Sequence, residues 1–474
     1  MALFQLAVGR LRPHLLFLLI LAVGLFVRFY NFPAWQGFDY DQEINAWLAK
    51  SLIVDHKLFL IGPETSVGAM YVGPYFNYII SFFYLLGKMD HAWTILLNFI
   101  ISTVTIAAIY LTGAKFFSKV SGLISATIYS FSMFFISYDR VMWNPTILPL
   151  VSVGVFYFLY SYLKNHKVRD LILATTILGF SFHVHFTAFF LLAFFVLSLT
   201  ILGGNKFWKS PLNFLYIVSV LVIFFLPLIF FDLRHNFLNF SHLLLFLTSG
   251  RAGGLSGIGI LVTLGNVLLV WADLIKSIFI EIINIKLIPL SLLFLVLIFK
   301  HGFKSGGNKL FYKLLLLLFL LITIPLSFYR GALPPYYFLA PLSIIVISSG
   351  DLFYHITKKY YQSNIFIVLI TGLILLNLMP ALFTKSDFSL KNKSQTVKYI
   401  ISQSQGQSFK VDFITSLGLN TGFKYLFWQQ GEILNINMNT KTDKTFKIVI
   451  PKSLARPEEL SVVYGAIGIV KMEL

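Results

Sequence analysis

The chain has 474 residues, 57% of them hydrophobic and only 12% charged, with a mean hydropathy of +0.81. A soluble domain is about a quarter charged, so the composition excludes a soluble globular protein and predicts an integral membrane protein. The net charge of +18 sits in short loops between apolar runs, where Lys and Arg set topology rather than bind nucleic acid; without cysteine, disulfides and thiolate metal sites are excluded as well.

Many apolar runs reach the roughly 20 residues a spanning helix needs. Their continuity suits helices and not barrel strands, so the expected fold class is an all-α polytopic membrane protein. Arg10 and Arg12 precede the first run, about His14 to Tyr30. A signal peptide has this layout, but no small-residue cleavage site follows, so the run reads as an uncleaved first helix. Next comes "GFDYDQEINAWLAKSLI", Gly37 to Ile53, with Asp39, Asp41 and Glu43 close together. It opens a first extracytoplasmic loop over residues 31–91. Within that loop, Tyr71 to Gly87 has an apolar core of about 13 residues, short for a span. Flanked by Gly73-Pro74 and Lys88, it is expected to lie in the interface or re-enter the membrane.

Basic clusters then mark the cytoplasmic side: Lys115/Lys119, Lys164/Lys167/Arg169, Lys206/Lys209, Lys300/Lys304/Lys309/Lys313 and Lys358/Lys359. Residues Leu255 to Ile283 carry Asp273, Lys276 and Glu281 at helical spacing, as an amphipathic surface helix would. Setting this segment and Tyr71–Gly87 aside leaves about eleven spans, and about thirteen if both cross. Either way the N-terminus is cytoplasmic and the C-terminus outside, in the plasma membrane. From about Lys385 apolar runs shorten and polar residues rise. "FKVDFIT" and "FKIVIP" read as strands and "GFKYLFWQQ" as a short helix. The division is therefore a transmembrane domain over 1–384 and a small soluble α/β extracytoplasmic domain over 385–474. No repeat of fixed period is present.

In this topology the unusual polar groups gather on the outer face: Asp39, Asp41 and Glu43; then "SYDRVMWNP", "FHVHF", "FDLRHNF" and "YRGALPPYY". Ionisable groups at membrane depth are costly, which makes them functional candidates. Each has a plainer alternative. The three acids suit a solvated helix face, and Asp139–Arg140 a structural ion pair. His183 and His185 point apart on a helix and have no third ligand, so no metal ligand set is visible and no cofactor is indicated, although a divalent metal stays possible. Arg234, His235 and Arg330 suit headgroup anchoring.

Several stretches together resemble a known family: Asp41 followed by Ala46 and Ala49, "VGPYFNYI" (Val72–Ile79), "GAKFFSKVSGLISA" (Gly113–Ala126), "YDRVMWNPTILP" (Tyr138–Pro149) and "YYFLAPL" (Tyr336–Leu342). Over roughly Leu15 to Pro380 the chain resembles the membrane glycosyltransferases of the GT-C fold. The likeness is to bacterial relatives of the dolichyl-phosphate-mannose protein mannosyltransferases and of the lipid A aminoarabinose transferase. One position departs: Gln42 stands where the family has Glu, and the acid follows as Glu43.

The resemblance implies a polyprenyl-phosphate sugar donor, transfer to an acceptor hydroxyl of a protein, lipid or glycan on the outer face, and inversion. An acceptor hydroxyl needs a carboxylate base; Asp41, Glu43 and Asp39 are the candidates. A departing lipid phosphate needs cations, and Arg330, Arg234 and Arg140 are the candidates, Arg being suited to bidentate phosphate contact. Asp139, Trp143, Asn144, His183, His185, His235, Tyr336 and Tyr337 are the expected lining. Two other classes stay open: a transporter or flippase of a lipid-linked glycan, which often shows two related halves not visible here, and a non-catalytic membrane scaffold.

Overall fold

The computed structural model describes residues 13–65, 68, 70–248, 257–281, 287–304, 308–329, 331–359, 364–416, 418–431 and 444–473. Helices follow in the order α1 (Pro13–Phe29), α2 (Tyr40–Ile53), α3 (Tyr75–Leu86), α4 (Ile95–Phe116), α5 (Lys119–Phe131), α6 (Met133–Arg140), α7 (Leu148–Asn165), α8 (Val168–Ser181) and α9 (Ala188–Leu202). They continue with α10 (Gly204–Trp208), α11 (Pro211–Arg234), α12 (Leu238–Thr248), α13 (Gly257–Phe279), α14 (Ile288–Lys304), α15 (Lys309–Leu326), α16 (Leu339–Lys359) and α17 (Asn364–Phe383). Then come α18 (Leu390–Ser404), β1 (Phe409–Thr415), α19 (Phe423–Gln429), β2 (Lys444–Ile450), β3 (Val462–Tyr464) and β4 (Ile467–Glu473).

Among the described residues six helical stretches are long and apolar enough to cross a membrane: His91–Phe116, Asn144–Asn165, Pro211–Arg234, Leu261–Phe279, Lys309–Leu326 and Pro335–Lys358. The pair α5 and α6, bent by 62°, makes a seventh. Pro13–Phe29, Ala188–Leu202 and Ile374–Phe383 are apolar but shorter; the count of eleven to thirteen read from the sequence includes such segments. The chain is a multi-pass membrane protein. α3 has 12 residues, about 18 Å of helix, too short to cross the hydrocarbon core.

Within the segment expected over 255–283, the described helix Gly257–Phe279 departs from expectation. In place of an amphipathic surface helix, α13 packs into the bundle. Val267 and Trp271 are fully buried, and the Trp271 Nε1 donates to Thr323 Oγ1 on α15 at 3.0 Å. The charges that suggest a wet face pair with each other, Lys276 Nζ lying 2.8 Å from Asp273, one turn apart.

α16 is the axis of the bundle, almost wholly enclosed, whereas α11 directs most of its apolar side chains outward. Close approach depends on small residues, as is usual between membrane helices. A Cβ on Gly122 of α5 would lie 2.6 Å from the Tyr110 carbonyl of α4. The Ser125 hydroxyl of α5 donates to the Ile347 carbonyl of α16 at 3.3 Å.

The strands form one sheet in the order β1-β2-β4-β3, with β1 and β2 parallel and the other pairs antiparallel. These C-terminal elements attach to the start of the chain. The Leu390 N–H donates to the Gln36 carbonyl at 2.7 Å and the Ser386 N–H to the Ala34 carbonyl at 2.9 Å. α19 lies against α2, with Trp47 edge-on to Tyr425 at 5.2 Å.

Candidate active site

α2 begins at Asp39, whose backbone N–H donates to the Gln42 Oε1 at 2.9 Å. This is the reciprocal arm of a capping box, a place that accepts Gln or Glu, so Gln42 helps start the helix. The helix buries Gln42, Asn45, Ala46 and Ala49, a stripe at helical spacing. Its three carboxylates then diverge in role. Asp39 accepts from Lys393 Nζ of α18 at 2.7 Å. Glu43 caps α19, its Oε2 accepting from the Gly422 N–H at 2.7 Å and its Oε1 from the Tyr425 N–H at 3.0 Å. Asp41 is exposed and makes no hydrogen bond or ion pair among the described residues. The protein packed around it, and secondarily the charge of Asp39, push its carboxyl above the usual range.

Tyr336, at the entry to α16, stands within Coulombic reach of Asp41. It contacts Trp143 edge-on at 5.3 Å and His185 at 5.2 Å. Trp143 in turn stacks on Tyr138 at 5.8 Å. Behind Asp41 an asparagine chain ties three elements together. Asn77 of α3 donates to Asn45 of α2 at 2.7 Å, and Asn45 to Asn144, just before α7, at 3.4 Å. Two donors on this wall, Trp143 Nε1 and Asn144 Nδ2, are enclosed and lack a protein acceptor.

The two histidines of "FHVHF" separate. His183 is wholly buried; its Nδ1 accepts from the Tyr75 N–H at 3.3 Å and its Nε2 donates to the Phe224 carbonyl at 2.9 Å. It bolts the α8–α9 junction to α3 and α11. His185 Nδ1 accepts from the Thr187 N–H at 3.2 Å, and its ring faces Tyr336 and Tyr337. Burial pushes both imidazoles down to about 4, which keeps them neutral near pH 7.

Asp139 and Arg140 are both engaged with α1. Asp139 pairs with Arg28 of α1 at 2.7 Å, both side chains buried. The Arg140 guanidinium donates to the Arg28 and Val27 carbonyls, each at 2.9 Å, and lies over the Trp35 ring. Arg234 ends α11, exposed. His235 stacks on Phe231 at 4.2 Å. Arg330 lies outside the described residues. Asn77, Arg28 and Lys393 complete these networks without being expected as site residues, although Asn77 lies within "VGPYFNYI". Arg28 alone carries a signal, a full charge inside an apolar run. A separate apolar cavity of about 520 Å³ is lined by Leu111, Val151, Tyr157, Phe158 and Phe180.

Residues 71–231 match the dolichyl-phosphate-mannose-protein mannosyltransferase family, about a third of the chain. Comparison with curated protein sequences gives no match. The fold is similar to that of ArnT from Cupriavidus metallidurans bound to undecaprenyl phosphate, with a TM-score of 0.61 over 96% of this chain and 97% of that one, at 11% identity. The chain has the GT-C fold. The GT-C likeness extends to the archaeal oligosaccharyltransferase AglB from Archaeoglobus fulgidus, in complex with an inhibitory peptide and a dolichol-phosphate. There the TM-score is 0.52 over 92% of this chain and 70% of that one, at 13% identity.

Proposed function

We propose that the protein is a membrane glycosyltransferase that moves a sugar from a polyprenyl-phosphate donor to an acceptor hydroxyl on the extracytoplasmic face, with inversion. The observation that carries this reading is the state of the three acids on α2: within a GT-C fold, Asp39 and Glu43 are engaged by α18 and α19, and Asp41 alone of the three makes no hydrogen bond or ion pair among the described residues. Fold by itself does not give function. A free carboxylate with raised proton affinity beside aromatic walls adds the chemistry.

In this mechanism Asp41 takes the acceptor's hydroxyl proton as the oxygen attacks the anomeric carbon. The bond from that carbon to the phosphate oxygen breaks, and its electron pair leaves with the polyprenyl phosphate on the opposite face. Arg234 and Arg330 are the cations proposed to meet the developing charge; Arg140 ranks behind them, since backbone carbonyls hold it. Trp143 Nε1 and Asn144 Nδ2, enclosed donors without acceptors, suit sugar hydroxyls, and Tyr336, Tyr337 and His185 suit its faces. The residues from 385 onward form a soluble domain on the same outer face in this reading, with the N-terminus cytoplasmic and the plasma membrane as the site of action.

The test uses wild type and Asp41→Asn purified from native membranes, with mass spectrometry of copurified lipids and a transfer assay. The expected result is a polyprenyl-phosphate sugar enriched on the variant, with turnover lower by about 10²–10⁴-fold; Glu43→Gln loses less than about tenfold. Full turnover by Asp41→Asn removes Asp41 as the base. A complete lipid-linked oligosaccharide on both proteins, without transfer, favours the flippase reading.

A further inference from the structure

At the other end of α16 from Tyr336, with about 24 Å of helix between Leu339 and His355, a second polar cluster stands between α14, α15 and α16. His301 of α14 and Asp351 and His355 of α16 offer ligand atoms that all lie within 4.8 Å of one another. Asp351 and His355 are one helical turn apart, the spacing that puts two metal ligands on one face. His301 reaches across from the neighbouring helix.

The separations fit ligands around one ion. His301 Nε2 is 3.1 Å from Asp351 Oδ2; His355 Nδ1, 3.3 Å from Asp351 Oδ1, donates to the Asp351 backbone carbonyl at 2.9 Å, which leaves the Nε2 of that ring as its ligand atom. Donors about 2.0–2.1 Å from a tetrahedral zinc stand about 3.3–3.4 Å from each other. The imidazole rings are 4.5 Å apart, centroid to centroid.

A hydrogen-bond network alone leaves this cluster incomplete. Asp351 has a side chain only 4% exposed. Its Oδ2 accepts from the Tyr312 hydroxyl of α15 at 2.9 Å, but its Oδ1 is enclosed and accepts no hydrogen bond. A buried carboxylate oxygen without a hydrogen bond costs free energy, and a bound cation removes that cost. The Tyr312 bond is the kind of outer contact that orients a ligating carboxylate; Gly302 admits that ring, since a Cβ there would collide with it. His355 is 45% exposed, which leaves a path for entry and room for water as a fourth ligand.

We propose that His301, Asp351 and His355 form a divalent-cation site of the zinc class that clasps α14 to α16, away from the recess and independent of the transfer reaction. Two imidazoles and one carboxylate favour zinc over magnesium, which prefers an all-oxygen octahedral set.

The experiment uses the full-length chain in detergent, stripped with a chelator and with its affinity tag removed. Zn²⁺ alone is titrated, with bound metal measured after dialysis and thermal melting followed in parallel. The expected result is one saturable Zn²⁺ per chain and a melting temperature that rises with Zn²⁺. Both are weakened at least about tenfold in affinity by His355→Ala, whose exposed position leaves the metal-free melt unchanged, and again by His301→Ala. No saturable binding by wild type, or equal binding by wild type and His355→Ala, overturns the site. An equal rise with Mg²⁺ overturns its zinc character.

Discussion

Lys393 and Asp39, far apart in the chain, meet at 2.7 Å, with the lysine side chain 1% exposed and the aspartate 57%. The ammonium also donates to the Phe38 carbonyl at 2.8 Å and the Thr421 carbonyl at 3.0 Å. With Glu43 gripping α19 nearby, this lysine forms half of a clasp between α2 and the C-terminal elements. Lys393→Met strands the buried Phe38 carbonyl and the half-buried Thr421 carbonyl and is expected to cost roughly 2–3 kcal/mol. Thermal melting in detergent measures it, and limited proteolysis should release a C-terminal fragment sooner. An unchanged melt and cleavage rate would mean the clasp contributes nothing.

The proton affinity of Asp41 sets a pH dependence. A general base works only when ionised, so turnover rises with pH as Asp41 loses its proton. Because its pKa is raised above the usual value, the acid limb of the profile lies at higher pH than for an ordinary aspartate. Burial is the larger cause and Asp39 the smaller. Asp39→Asn removes only the second, so the acid limb moves to lower pH by part of the shift. A profile of kcat/KM that moves to higher pH contradicts this account of the site.

His183 and His185 are expected to fail differently. His183 bridges the Tyr75 N–H and the Phe224 carbonyl; His183→Ala lowers the melting temperature, with a loss of roughly 1–3 kcal/mol, while turnover per folded molecule changes little. His185→Ala should leave the melt nearly intact and raise KM, since its ring borders the recess through Tyr336. Reversed phenotypes would exchange the two assignments.

Arg28 and Asp139 make a buried pair, and breaking one side of such a pair costs about 3–5 kcal/mol. Arg28→Met should therefore be severely destabilising. Adding Asp139→Leu should restore part of that stability, because the stranded carboxylate is gone. If the double variant melts lower than Arg28→Met, the remaining contacts of Asp139, such as the Tyr129 hydroxyl, outweigh the penalty of an orphaned charge.

Much of this was legible in the chain. The apolar runs marked α4, α7, α11 and α16, the alternation in "FKVDFIT" gave β1, and "GFKYLFWQQ" gave α19. The acids on α2 were visible as a cluster, but their separation into one free and two engaged groups was not. That depends on Lys393, Gly422 and Tyr425, which touch α2 only after the chain has returned from the far side of the bundle. α13 was misread because Asp273 and Lys276 carry charge in the sequence but neutralise each other in space. The same limit hid the cluster at Asp351: its turn-spaced partner His355 is visible, while His301 becomes a neighbour only through helix packing.

The clasp on α2 also bears on biosynthesis. Asp39 and Glu43 leave the ribosome at least 354 residues ahead of the groups that hold them. Until then, Asp39 and Glu43 of α2 lack the Lys393 ammonium and the N–H groups of α19 that hold them. A chain released early would carry every proposed catalytic group and still be unfinished. Synthesis of α18 and α19 therefore acts as a late assembly step of the site, and chains that stop short of them should be open to membrane proteases at α2.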